Sequence, residues 1–73
     1  ALKEVEHIIN ALPHVKNVHH VHLWQLDEHD IHFEAHVEVD DIPVSETGPI
    51  LEQIQHELHE HFDISHVTVQ FEQ

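Results

Sequence analysis

The amino-acid sequence predicts an α+β fold, an α-β-β-α-β sandwich in which two helices cover one face of a three-stranded mixed sheet. Two segments carry apolar residues at helical spacing, and three segments are rich in alternating apolar and polar residues. Polar or proline-containing turns separate these segments. With 73 residues the chain is long enough for one domain only, so residues 1–73 are interpreted as a single unit.

The first half of the chain predicts a helix followed by a β-hairpin. The helix ends before Pro13, because proline cannot continue a helix. A strand is predicted over residues 18–27 from its β-branched and aromatic content, and a second over residues 31–40 from unbroken alternation. The polar turn Glu28-His29-Asp30 joins them. The apolar positions of the helix are Leu2, Val5, Ile8, Ile9 and Leu12.

The second half predicts a connector, a helix and a last strand. Ser45 or Thr47 can cap this helix, and Pro49 suits its first turn. Its apolar stripe consists of Ile50, Leu51, Ile54, Leu58 and Phe62. Both helices are expected on the sheet face formed by Val21, Leu23, Ile31, Phe33, Val37, Val67, Val69 and Phe71.

Composition and charge exclude several classes of function. Fifteen acidic residues against two lysines give a formal charge of −13, which repels phosphate backbones and anionic lipid headgroups. We therefore expect neither nucleic-acid binding nor direct lipid binding. Cysteine is absent, so disulfides and thiolate metal sites are excluded. No apolar run is long enough to span a membrane. The chain begins in a helical pattern without an initiator Met, so we expect it to be part of a longer protein.

Histidine is the unusual component, with twelve residues spread through the chain. If the hairpin pairs with Asp27 opposite Ile31, then His22 lies opposite His36 on the outer face, away from the helices. Directly paired residues have Cβ atoms about 5 Å apart, which suits two imidazoles on one zinc-type ion. By the same pairing His20 lies opposite Glu38. Glu72 lies on the outer side of the last strand, so a His/His/carboxylate metal site is predicted.

Other readings of these side chains stay open. Any single outer histidine can be a solvated surface residue, and Trp24 on the same face can be a lone exposed aromatic or part of a partner surface. On the second helix His56 and His59 share a face with Glu52, where they could bind metal weakly or simply be solvated. His66 begins a strand and is expected to pack locally.

The stretch from Val18 to Trp24, V-H-H-V-H-L-W, resembles the V-H-D-L-H-[IV]-W signature of the C-terminal cytoplasmic domain of cation diffusion facilitator transporters of the zinc, cobalt and cadmium efflux type. The likeness continues through Ala35-His36-Val37 and through residues 66–72, which resemble the family's H-V-T-[IL]-Q-x-E ending. The resemblance implies a metallochaperone-like (ferredoxin-like) fold, a V-shaped homodimer attached to the membrane part of the same chain, and a cytoplasmic location.

The resemblance also implies metal ligands at His19, His36 and Glu72. His20 stands where the family usually has Asp, and some members have His at the positions of Gln70 and Gly48. Strand alternation favours His22 beside His36, whereas the resemblance favours His19. A β-bulge in the first strand would reconcile the two. We therefore predict His19, His36 and Glu72 as ligands, with His20 and His22 as secondary candidates.

The leading functional hypothesis is a regulatory domain that binds zinc, cobalt, nickel or cadmium, dimerises and modulates metal efflux. The alternative is a histidine-rich storage or chaperone module with many weak sites. We do not expect an enzyme, because a metallo-hydrolase needs an open coordination position and a general base in a cleft. A Cu(I) chaperone is disfavoured, since the chain has neither cysteine nor methionine.

Overall fold

A computed structural model describes residues 2–73 and has the predicted order of elements. Strands β1 and β2 pair antiparallel, and β2 and β3 pair parallel, so the sheet is mixed with the order β1-β2-β3. Within residues 2–73 no helix is long and apolar enough to cross a membrane. The elements are α1 Leu2–Asn10, β1 Val15–Asp27, β2 Asp30–Val39, a 3₁₀ turn Val44–Glu46, α2 Thr47–Phe62 and β3 His66–Glu72.

The core lies between the two helices and one face of the sheet, as predicted. Alternation in β2 places Phe33, Val37 and their core-facing neighbours under the helices, while His36 stays on the outer face. The predicted sheet-face residues all belong to this core or pack against it, so the orientation of the sheet is confirmed. The buried core consists of Val5, Ile9, Val18, Phe33, Ala35, Val37, Val39, Ile50, Ile54, Leu58 and Ile64.

The start of α2 differs from the prediction. Neither Ser45 nor Thr47 caps the helix: Glu46 occupies the N-cap position and makes no side-chain capping bond. Thr47 instead donates its hydroxyl to the carbonyl of Val44 at 2.6 Å, because a 3₁₀ turn leads into the helix. At the other end Asp63 adopts the left-handed conformation, with φ 57°. Its backbone N–H donates to the carbonyl of His59, and the N–H of Ile64 donates to the carbonyl of Leu58.

The pairing of β1 with β2 also differs from the prediction. Asp27 lies opposite Asp30 rather than Ile31, and His22 lies opposite Glu34 rather than His36. The predicted pairing of His22 with His36 is therefore wrong. A register calculated from an ideal hairpin assumes one residue opposite one residue, and β1 breaks that rule at three places along its length.

One of these irregularities is the β-bulge that the prediction required. His20 and Val21 together lie opposite one residue of β2, between the pairs His19–His36 and His22–Glu34. His20 has a φ of 53°, the left-handed conformation found at the first position of one bulge type. The extra residue lets His19 and His22 both face outward, although regular alternation would put them on opposite faces.

Candidate metal centre

The outer face of the sheet arranges its polar side chains in rows that run across all three strands. One row contains His19 of β1, His36 of β2 and Gln70 of β3. Glu72 lies two residues beyond Gln70 on the same side of β3, where side chains alternate between faces. The sheet therefore brings the three predicted ligands His19, His36 and Glu72 together, and we name them the Glu72 cluster.

Both oxygens of the Glu72 carboxylate are engaged by imidazoles. His19 donates from Nε2 to Oε1 at 2.8 Å, and His36 donates from Nδ1 to Oε2 at 2.6 Å. The three side chains are between 31% and 35% exposed, so they are partly shielded yet reachable from solvent. Their ligand atoms all lie within 4.8 Å of one another.

The histidines determine the charge state of the cluster. The hydrogen bond from His36 is the foremost cause that lowers the pKa of Glu72, and the hydrogen bond from His19 and the charges of both rings lower it further. Partial desolvation raises the pKa, but by less than these contacts lower it. Glu72 is therefore a carboxylate at neutral pH, which is the form that binds a metal.

The secondary candidates lie in different places. The imidazole of His20 is 4.8 Å from that of His19 and 4.8 Å from that of His36, measured between ring centroids. The bulge thus places His20 at the margin of the Glu72 cluster. His22 is exposed and lies opposite Glu34, in the next row of the sheet, so the structure does not bring it to this cluster.

A signal for the bulge was present in the sequence. Val15, Val18 and Val21 are spaced three residues apart, and all three pack in or against the core. A regular strand returns to one face every two residues, so each step of three needs one extra residue. Apolar spacing of three therefore marks the irregular part of β1 and supports an outward-facing His19.

The donor set of the Glu72 cluster fits a zinc-type ion. Two imidazole nitrogens and one carboxylate oxygen are common zinc ligands, with bond lengths of about 2.0–2.2 Å. Tetrahedral bonds of that length place ligand atoms about 3.3 Å apart. One potential ligand atom from each of the three residues lies within 4.8 Å of the other two, so the three side chains are close enough to share one ion.

The structure also assembles residues that the sequence did not predict as a site. His32 and His66 are direct partners in the parallel pairing of β2 with β3, and both contact Asp30 at the end of the hairpin. His66 was expected only to pack locally, and Asp30 was placed in the turn. The missing information was the register between β2 and β3, although outward alternation of His32 and His66 could have suggested it.

A family model described as the cytoplasmic domain of cation efflux proteins matches residues 1–73. The chain is 44% identical over 61 residues to the zinc transporter ZitB of Escherichia coli, covering 84% of this chain and 18% of that protein. It is 41% identical over 71 residues to the metal cation efflux system protein CzcD of Cupriavidus metallidurans, covering 97% of this chain and 22% of that protein. The chain thus spans about a fifth of the length of these relatives.

Solved structures give the same assignment. The metal-bound C-terminal domain of the CzcD transporter from Cupriavidus metallidurans is 39% identical and superposes with a TM-score of 0.85, covering 99% of this chain and 97% of that one. The metal-bound C-terminal domain of CzcD from Thermotoga maritima, at 23% identity, has the same fold, with a TM-score of 0.83 over 97% of this chain and 84% of that one. The chain therefore belongs to the cytoplasmic domains of the cation efflux proteins, the cation diffusion facilitator family.

Proposed function

We propose that this chain is the regulatory, metal-sensing domain of a divalent-cation efflux transporter, and that it senses metal at the Glu72 cluster. The observation that carries the proposal is the Glu72 carboxylate, which joins the imidazoles of His19 and His36 at 2.8 and 2.6 Å. Relatives named as zinc and metal cation efflux proteins, and a similar domain described as metal-bound, support it.

The proposed ligands are His19, His36 and Glu72. A fourth position would be filled by water or by His20, whose ring centroid lies 4.8 Å from the centroids of the His19 and His36 rings. His22 is the weakest of the predicted ligands because it lies in a different row. Zinc, cobalt, nickel and cadmium all accept imidazole and carboxylate, so the donor set defines a class of ion rather than one element.

The charge of the chain supports a cation sensor. A formal charge of −13 on 73 residues attracts divalent cations and also makes two copies repel each other. A bound divalent ion removes two negative charges, less any protons released from the imidazoles. Metal binding therefore favours states in which two copies of the chain lie closer together.

We propose that the functional unit is a homodimer joined to the membrane part of the same transporter chain. Trp24 and Leu26 support a contact surface near the hairpin end of the sheet, because they are 41% and 64% exposed. Metal would shift the dimer toward a closed state only by its difference in affinity for the closed and open states. A site completed at the dimer interface would supply that difference, and a tenfold preference is equivalent to about 1.4 kcal/mol.

Calorimetry of zinc binding tests the metal-sensing part of this proposal. His36→Ala should weaken the tightest site, whereas His14→Ala, which removes a histidine paired only with Asp40 at 3.5 Å, should not. Equal effects of the two substitutions would contradict the proposal and favour a storage module with many weak sites.

Small-angle scattering tests the closure. The dimer should become more compact at saturating zinc in the unaltered chain, but not in His19→Ala or His36→Ala. Unchanged dimensions at saturating zinc would remove the closure mechanism and leave metal binding itself intact.

A further inference from the structure

A second group of potential metal ligands lies on the same sheet face, at the hairpin end. Asp30 Oδ1 accepts from His32 Nε2 at 3.1 Å and from His66 Nε2 at 3.0 Å. The ligand atoms of these three residues also lie within 4.8 Å of one another. We name this group the Asp30 cluster.

The strands hold the three side chains in place. His32 and His66 are paired across the parallel strands, and their rings stack with centroids 4.1 Å apart and planes 19° apart. Trp24 stacks on the other side of His32, with a centroid distance of 5.3 Å and an angle of 20°. His32 is therefore fixed between two rings and is only 23% exposed, while His66, at 57% exposed, can adjust its position.

Ordinary histidine–carboxylate pairs elsewhere on this surface look different. His14 with Asp40 and His61 with Glu57 are single pairs, in each of which one carboxylate contacts one imidazole. The Asp30 carboxylate instead contacts two imidazoles, and the Ser65 hydroxyl donates to the same carboxylate at 3.3 Å. Among residues 2–73, only the Glu72 and Asp30 clusters combine three potential metal ligands in this way.

We propose that Asp30, His32 and His66 form a second divalent-metal site, separate from the Glu72 cluster. Two nitrogens and one oxygen are the ligands of zinc, cobalt or nickel rather than of calcium or magnesium, which prefer oxygen ligands throughout. Nitrogen–oxygen distances of 3.0 and 3.1 Å are already close to the separation of about 3.3 Å in a tetrahedral zinc site. Metal would replace the shared protons at Asp30, and water would complete the coordination.

The two sites should fill independently. His32 and His36 are four residues apart on β2, which corresponds to about 13 Å at about 3.3 Å per residue. This distance exceeds the Debye length of about 8 Å at physiological ionic strength, so repulsion between the two bound ions is screened. Glu34 points outward between them and offsets part of that repulsion. The second site thus does not rest on the function proposed for the first.

Zinc stoichiometry tests the proposal. In calorimetric titrations at neutral pH the 73-residue chain should bind zinc at two ordered sites, and Asp30→Asn or His66→Gln should each remove one of them. His14→Gln is the matched control and should leave both sites. His14 also contacts an aspartate, but within residues 2–73 it belongs to no group of three potential ligands. Retention of both sites in Asp30→Asn and His66→Gln would overturn the second site.

Trp24 gives an independent readout because it is the only tryptophan and the chain has no tyrosine. Cobalt bound next to His32 should quench the indole emission strongly, since Trp24 stacks on that ring. Quenching should persist in His36→Ala. In Asp30→Asn the cobalt concentration that gives half of the maximal quenching should be at least tenfold higher. Equal quenching in Asp30→Asn and the unaltered chain would overturn the site. Failure of the proposed function would instead appear as an unchanged tight site in His36→Ala, so the two failures are distinguishable.

Discussion

Zinc bound at the Glu72 cluster should stabilise the fold by an amount that depends on His36 and not on how well the hydrophobic core is packed. Domains have about 0.05–0.15 kcal/mol of stability per residue, or about 4–11 kcal/mol for this chain. Ile54 is fully buried, so Ile54→Ala should lower the free energy of unfolding by about 2–5 kcal/mol. Free zinc at 100 times its Kd should add about 2.7 kcal/mol to either protein.

Thermal unfolding followed by circular dichroism measures this effect. At about 4–8 °C per kcal/mol for a domain of this size, zinc should raise the Tm by about 10–20 °C. The gain should be the same in Ile54→Ala, because Ile54 packs on the helix side of the sheet and the Glu72 cluster lies on the other side. It should be absent in His36→Ala.

All proteins in that comparison should carry Asp30→Asn, so that only the Glu72 cluster contributes. An equal zinc-dependent rise in Tm with and without His36 would refute the assignment of the ligand. A rise that disappears in Ile54→Ala would refute the separation of the site from the core.

Three further predictions concern pH and assembly. Without metal, Glu72 should stabilise the fold above about pH 4.5, the ordinary pKa of a glutamate carboxyl, and this stability should be lost as pH falls through its lowered pKa. Denaturant midpoints should therefore fall less steeply in Glu72→Gln over that range, and equal slopes would contradict the prediction. Zinc affinity measured by calorimetry should be weaker at pH 5.5 than at pH 7.5, because protons compete for imidazole nitrogen, and equal affinities would argue against histidine ligands. Sedimentation should show a homodimer that Trp24→Ala weakens, and a monomer at high concentration with and without zinc would exclude it.

The fold could be predicted largely from local patterns. Alternation in β2 identified which face of the sheet is buried, because in a regular strand the face follows from the position alone. Apolar residues at helical spacing identified both helices, because the buried face of a helix also follows from sequence position. The entry to α2 could not be predicted, since Ser45 and Thr47 are both acceptable caps and the 3₁₀ turn that displaces them depends on the path of the preceding connector.

The candidate site was only partly predictable. Alternation alone selected His22, and the resemblance to cation diffusion facilitators was needed to select His19. The Asp30 cluster was missed because its members come from the hairpin end and from two strands that are joined through α2. Only the long-range register of β2 with β3 brings His32 and His66 together.

The bulge at His20 determines which residues of β1 face the core on each side of it, and this limits insertions and deletions in the strand. Deleting one residue there would remove the bulge and make the pairing of β1 with β2 regular. The side chains on one side of the deletion would then exchange faces of the sheet. Either His19 would point toward the helices or Leu23 would point into solvent. Substitutions at His20 are constrained by its positive φ, which glycine and asparagine tolerate, and by its place beside the Glu72 cluster. The number of residues between His19 and Leu23 is constrained by both faces of the sheet at once. In this segment of the family, chain length should therefore be more restricted than residue identity.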